Sequence, residues 1–284
     1  MFSFLIEILT SPLRTQAYLK YGIPVSFQLC SVVTFALFFI YINLILIKNT
    51  SKLKPQYILL ACIIGCSILQ LPFRMIHFNQ TLISLPDFLF HLLGIFMGYF
   101  FHISGKYVKT GIAVTSLLCC LFFYFKGYPM LIHKQDFGTF TGLQNAKAEL
   151  PEFQFIDRSG NTIANQDFVG KYTILDFWQT SCGICFQEFP KFDEYYMKYN
   201  SNNRISLYAV NVKLSRDKED VAFEAISKLE YSFPTLLLEQ MEDAKNIFGV
   251  LVYPTVVVFN PQGIMVFRGD IDKAFSYVEG ELKK

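Results

Sequence analysis

The chain has 284 residues, 52% of them hydrophobic and only 17% charged, with a mean hydropathy of +0.34 and a formal net charge of +2. Soluble globular domains carry about 25% charged residues and disordered chains are poorer still in apolar ones, so neither class fits the whole chain. The small net charge, with no basic run interleaved with aromatics, excludes nucleic acid as a partner class.

The averages conceal a break. Up to Leu150 there are 11 Lys+Arg and 4 Asp+Glu, and beyond it 14 and 19. An apolar, sparsely basic half precedes an ordinary, slightly acidic one, so two domains with different solvents are expected. Residues 1–125 form an all-α four-helix transmembrane domain, 126–148 a connector and 149–284 a soluble α/β domain.

Residues 1–20 open with a short apolar run and lack a small-residue cleavage site, which suggests an interfacial helix. Four apolar stretches follow, at 24–47, 57–73, 86–103 and 110–125. A hydrocarbon core of about 30 Å needs about 20 helical residues, with about 17–25 tolerated. The first stretch qualifies easily, while the second and fourth are short. The third begins at Pro86-Asp87, where proline suits a first helical turn and an acid suits the positive end of the helix dipole. Lys48, Lys52, Lys54, Lys106 and Lys109 flank one side of the bundle, and Arg14, Lys20, Arg74, Lys126 and Lys134 the other. The positive-inside rule is therefore tied.

Polar chemistry within the spans is scant. Cys30, Cys62, Cys66, Cys119 and Cys120 are small residues suited to helix packing, although Cys62 and Cys66 share a helix face. His91 and His102 lie on the third span, where an ionisable group is a functional candidate. No matching carboxylate or third ligand is expected at metal spacing. In the connector, Gly127-Tyr128-Pro129 should end the fourth helix, and the aromatics of residues 137–142 suggest a loop packed on something rather than a free tether.

Beyond Leu150, short β runs alternate with helices. Residues 153–156 suggest a strand, 158–161 a turn, and the segment to Gly170 a short helix. Residues 172–178 and 205–212 are buried-type strands, 217–229 and 241–248 helices, 255–259 and 264–268 a hairpin, and 274–282 a final helix. The order implies a mixed sheet with helices on both faces.

Cys182-Gly183-Ile184-Cys185 sits where the first buried strand gives way to a helix. There, unpaired backbone N–H groups and the helix dipole stabilise a thiolate at Cys182. That thiolate attacks a disulfide, and Cys185 resolves the mixed disulfide. Zinc uses the same spacing but needs further ligands, and this half has no histidine and no other cysteine, so no metal or other cofactor is expected.

Asp176-Phe177-Trp178 followed by this pair resembles the active-site strand and turn of thioredoxin. The run to Glu188 and Pro190 is similar to the CxxCxxExP pattern of TlpA/ResA-type membrane-anchored thiol-disulfide oxidoreductases. Leu150-Pro151-Glu152-Phe153, Gly160 and residues 167–171 resemble that family's extra hairpin, and residues 248–255 its cis-proline loop. The resemblance covers residues 149–284. Four-helix bundles fused to thioredoxin domains resemble MauE/DoxX-like and vitamin K epoxide reductase-like proteins, although the CxxC that the latter carry in the membrane is missing here.

The resemblance implies a thioredoxin fold and a protein disulfide reductase held in the bacterial cytoplasmic membrane, with its soluble domain periplasmic. It makes Cys182 the attacking thiolate, Cys185 the resolving thiol and Asp176 the buried proton relay. Pro254 is implied to be cis, Val252 and Tyr253 to pair with substrate, and Trp178 to line the site. Glu188 has a weaker case, Pro190 should kink the active-site helix, and Ile184 stands where proline is common. Partners implied are protein thiols or disulfides, such as apocytochrome c or other secreted thiols, the lipid bilayer and a membrane electron donor. A peroxiredoxin pattern fails, because Leu175 and Gln179 occupy the positions of its proline and threonine relative to Cys182. Two other readings differ in class: a non-catalytic binding module docked on the bundle, and an electron relay through the membrane cysteines into the CxxC.

Overall fold

The structure, a computed structural model, describes residues 27–78, 84–144, 152–218 and 220–284. The interfacial helix expected in residues 1–20 lies outside these, as do residues 145–151, where the connector meets the soluble half. The chain divides into two compact units, Met1–Ile132 and His133–Lys284.

In the first unit, helix α1 spans Phe27–Asn49, α2 Pro55–Ile76, α3 Leu85–Ile103 and α4 Lys106–Phe122. Among the described residues three helical runs are long and apolar enough to cross a bilayer: Gln28–Asn49, Leu85–Ile103 and Lys106–Phe137. The arms Pro55–Ile68 and Gln70–Ile76, bent by 41°, make a fourth if taken as one span. Pro72 accounts for the bend, since it lacks an N–H and its ring crowds the carbonyl of Ile68.

Helices α1 and α3 approach most closely through Gly94 and Gly98, four residues apart on one face. A Cβ at Gly94 would stand 2.6 Å from the Phe35 carbonyl oxygen, and one at Gly98 2.7 Å from that of Phe39. The Asn43 side chain donates to the Gly98 carbonyl at 3.0 Å, so the contact is polar as well as close.

The expected helix end at Gly127-Tyr128-Pro129 is corrected. A π turn at Phe123–Gly127 follows α4, with the Tyr128 N–H bonded to the Phe123 carbonyl, and α5 continues over Tyr128–Phe137. The wider turn resets the register, so Pro129 falls in a first helical turn, where a missing N–H does little harm. The helix ends instead at Gly138, whose φ of +77° lets its N–H close on the Lys134 carbonyl at 2.8 Å.

Residues 138–144 then run along the soluble domain as a strap. Leu143 bridges Phe267, Gln144 N–H donates to the Val266 carbonyl at 3.0 Å, and the Arg268 N–H donates to the Gly142 carbonyl at 2.8 Å. His133 Nδ1 lies 2.7 Å from the Thr139 carbonyl, and the Lys134 ammonium sits over the Phe140 ring.

The remainder of the second unit comprises β1 (Gln154–Asp157), β2 (Thr162–Ala164), a 3-10 turn at Asn165–Phe168, β3 (Tyr172–Trp178), α6 (Gly183–Tyr199) and β4 (Ile205–Val212). These are followed by α7 (Val221–Lys228), β5 (Thr235–Leu238), α8 (Met241–Asn246), β6 (Thr255–Phe259), β7 (Met265–Gly269) and α9 (Ile271–Leu282). The strands form one mixed sheet in the order β2-β1-β5-β4-β3-β6-β7. Strands β3, β4 and β5 run parallel, and the remaining pairs are antiparallel. The segment leading to Gly170 thus contributes a strand, β2, before its short helical turn. Strand β5 was not expected, and α7 starts later than the sequence suggests.

Two cores cover the sheet. On one face Ile174, Trp178, Leu207, Val256 and Val258 pack under α6 and α9 with Phe189, Phe192 and Phe275. On the other, Phe153, Phe155, Phe168, Phe177, Phe248 and Phe259 form an aromatic layer. This is the thioredoxin-like α/β arrangement, a mixed sheet with helices on both faces.

Gly94→Ala places a methyl group against the α1 backbone and should destabilise the α1–α3 contact by about 1–3 kcal/mol. Thermal unfolding of the full chain in detergent reads this as a lower midpoint for the helical unit, with the thioredoxin-like unit unchanged. An unaltered profile would mean that the close approach contributes little.

Candidate active site

Strand β3 ends at Trp178, in register with Asn211 of β4, and the chain then turns through Gln179 to Ser181 into α6. Cys182 is the N-cap of that helix, and its sulfur accepts a hydrogen bond from the Cys185 N–H at 3.2 Å. The two sulfurs are bonded as a disulfide, so this is the oxidised form. The thiols are unequal in access: Cys182 is partly exposed, whereas Cys185 is fully buried at 0%. Only Cys182 can meet a large substrate. Thr180 Oγ1 donates to Asp217 at 2.6 Å and ties down the entry loop.

Alternation along β3 puts Ile174, Asp176 and Trp178 on the face that packs under α6. Asp176 is 2% exposed, and its Oδ1 has no hydrogen-bond partner among the described residues. Burial, reinforced by the negative charge of nearby Glu188, raises its carboxyl well above the usual carboxylate range. Half-buried Glu188 is itself raised, first by desolvation. Two acids with elevated affinity for protons therefore lie near one another, Asp176 on the sheet face that packs under α6.

The pairing of Phe177 with Thr255 sets the loop before β6 beside the end of β3. The Tyr253–Pro254 peptide bond is cis, and Thr255 Oγ1 closes the loop by donating to the Val252 carbonyl at 2.6 Å. Val252, Tyr253 and Pro254 are partly exposed there, and Tyr253 joins Cys182 around the same hydrophobic cluster. Ile184 and Leu251 are exposed apolar side chains. Trp178 is different. It is wholly buried, edge-on to Phe186 and Phe189, and so forms part of the floor rather than a surface that a substrate could touch. Pro190 lies within α6, which runs unbroken from Gly183 to Tyr199.

In the first unit, the expectation that no carboxylate matches His91 is corrected. Asp87, one helical turn earlier, has its Oδ1 3.5 Å from His91 Nε2 and accepts a hydrogen bond from Thr34 Oγ1 at 3.3 Å. Spacing of four along a helix brings the two onto one face. Asp87 thus faces His91 as well as standing in the first turn of α3. His102 lies near the end of α3 and is only partly buried. Among the described residues no group of His, Cys, Asp and Glu is arranged to hold a metal ion.

Residues 146–268 match the AhpC/TSA family. Over 164 residues the chain is 27% identical to the thiol-disulfide oxidoreductase ResA of Bacillus thuringiensis subsp. konkukian, covering 57% of this chain and 86% of that protein. It is 28% identical over 163 residues to the Bacillus subtilis protein of the same name, covering 56% and 82%. Among solved structures, the thioredoxin domain of a Bacteroides vulgatus thiol-disulfide oxidoreductase matches with a TM-score of 0.41 and 26% identity, over 48% of this chain and 97% of that one. The C-terminal half thus carries an AhpC/TSA-type thioredoxin-like domain, and its relatives are named thiol-disulfide oxidoreductases. Such domains work through their cysteines without a bound cofactor.

The raised Asp176 carboxyl gives this domain a pH signature. The folded state holds that proton more tightly than the unfolded chain. Its contribution to stability is therefore complete below the unfolded value of about 3.9 and is lost as pH rises through the raised folded value. Asp176→Asn should match the wild-type melting temperature near about pH 4 and exceed it by a growing margin toward about pH 8. Parallel melting curves across that range would rule out a buried, proton-binding Asp176.

Proposed function

We propose that the chain is a membrane-anchored thiol-disulfide oxidoreductase that reduces disulfides of extracytoplasmic proteins through Cys182 and Cys185. The observation that carries this reading is the asymmetry of the dithiol. One sulfur is accessible at a helix N-terminus beside the Val252–Pro254 loop, and the other is buried on the side of Asp176.

In the reduced form, helix N–H groups and the dipole favour the Cys182 thiolate. It attacks one sulfur of a substrate disulfide, forming a mixed disulfide and releasing a substrate thiolate that takes up a proton. Cys185 then loses its proton toward the Asp176 carboxylate and attacks the Cys182 sulfur. The second substrate thiol leaves, and the Cys182–Cys185 disulfide is formed. Two electrons have moved to the substrate, and a membrane electron donor must return two to the dithiol. Val252 and Tyr253 offer backbone groups to an extended substrate segment. In this reading the apolar helices hold the domain at the bacterial cytoplasmic membrane with the dithiol on the periplasmic side. Disulfides of apocytochrome c or of other secreted proteins are the substrates this reading provides for.

The full-length protein should reduce insulin disulfides in the presence of a dithiol donor, and Cys182→Ser should lower the rate at least about a hundredfold, since the thiolate is the nucleophile. Equal rates would dismiss the enzymatic reading. Sidedness has its own measurement: a membrane-impermeant maleimide should label reduced Cys182 in intact cells, and labelling only after lysis would place the domain in the cytoplasm.

A further inference from the structure

Arg268 lies on β7, and its guanidinium reaches two separate chain segments. Nε donates to the carbonyl of Phe137, the last residue of α5, at 2.9 Å. Nη1 donates to the carbonyl of Phe248, two residues beyond α8, also at 2.9 Å. Both carbonyls stand at helix C-termini, where unpaired oxygens and the helix dipole favour a cation.

The two helix ends are built alike. Gly138 has φ +77° and closes on Lys134, while Gly249 has φ +64° and closes on Lys245 at 3.0 Å, with the Val250 N–H on Ala244 at 2.9 Å. Each glycine leaves room for the same guanidinium. A Cβ at Gly138 would stand 2.7 Å from Nη2, and one at Gly249 would collide with Nη1. Among the described residues no carboxylate pairs with Arg268, and burial draws it below its ordinary value. Carbonyls in a fixed plane are what its forked donors match, and a lysine ammonium could not serve both.

The Phe248 carbonyl immediately precedes residues 249–253, the short link to cis Pro254. Val250 is buried and the link has no regular secondary structure, so the Gly249 and Val250 turn bonds and the Phe248 carbonyl fix where it starts. The backbone of Arg268 also holds the strap through Gly142. One residue thus joins the end of α5, the strap and the start of the substrate-facing loop.

We propose that Arg268 is the positioning residue of the 249–254 loop: its guanidinium anchors that loop to the C-terminus of α5 and so sets the surface offered to a protein disulfide. The functional half of this inference rests on the oxidoreductase reading above. The anchoring half does not.

The test uses the full-length protein with Arg268→Met and Arg268→Lys, each checked for folding by the near-UV signal of buried Trp178. Amide exchange at Gly249 and Val250 should accelerate about tenfold or more in Arg268→Met, because two buried acceptors lose a charged donor. Arg268→Lys should fall between Met and wild type. KM for a protein disulfide should rise about tenfold with kcat nearly unchanged, and reaction of Cys182 with a small aromatic disulfide should stay within about twofold. If Arg268→Met does not fold, Arg268→Lys carries the same readouts.

Wild-type exchange and wild-type KM in a folded variant would overturn the proposal. Equal losses with the small and the protein disulfide would do so too, since they would indicate general damage to the site. Faster exchange in a protein that reduces no disulfide at all would leave the anchor standing and remove the oxidoreductase reading instead.

Discussion

Strand β3 is the constraint on which the rest of the soluble unit depends. Hydrogen-bonded to β4 on one edge and β6 on the other, and buried along nearly its whole length, it has no freedom of register. A slip of one residue would turn Asp176 into the aromatic layer and Phe177 toward α6, exchanging the two faces. With register fixed, Trp178 ends the strand under the helix N-terminus and Cys182 emerges at the surface. Thr255, paired to Phe177, brings the cis-proline loop to the same end of the sheet. The site is a consequence of which residues lie at the end of this strand, and the helices on either face hold it there.

The helices of the first unit, apolar enough to cross a bilayer, would follow a different rule there. In lipid, apolar surface gives helices no reason to prefer one another over the solvent, so association depends on close packing and on the few polar groups available. Gly94 and Gly98 supply the first, and Asn43, Thr34 and Asp87 the second. Four of the five cysteines of the first unit fall into two separate clusters. Cys62 and Cys66 pack in one hydrophobic cluster and Cys119 and Cys120 in another. Cβ atoms four residues apart on a helix are about 5–6 Å apart, beyond the roughly 3.8 Å of a disulfide. A relay of exchanging disulfides would have to distort α2 to pass through that pair, and the packing reading of these residues needs no such distortion.

Much of the soluble fold was legible because its signals are local. A buried strand followed by Cys-x-x-Cys, a Tyr-Pro-Thr turn before a β run, and a polar turn between two strands each fall within a dozen residues. What stayed hidden was set by distance or by compensation. Strand β5 is four residues long, three of them leucine, and leucine does not mark a strand; its place between β1 and β4 comes from its neighbours. The helix end moved ten residues past Gly127 because the π turn absorbs Pro129, a tertiary accommodation that propensity does not register. Asp87 and His91 were visible at a spacing of four, but the acid already had an explanation at the helix N-terminus. Nothing local in the sequence marks Arg268. Its role depends on carbonyls 131 and 20 residues away.

Two acids, one fully buried on the face of β3 under α6 and one half-buried within α6, are costly to keep. Asp176 and Glu188 each carry a desolvation penalty, and the charge of Glu188 makes Asp176 harder still to ionise. In the proposed reaction, a buried carboxylate at Asp176 would take a proton from a thiol and return it without recruiting water to a buried sulfur. Cys185 has no solvent route for its proton, being fully covered by α6 and the sheet. On that proposal the apolar packing that hides the resolving thiol creates the need for an internal base, and burial raises the proton affinity of Asp176. An isosteric amide at position 176 would relieve the first cost and remove the second function together.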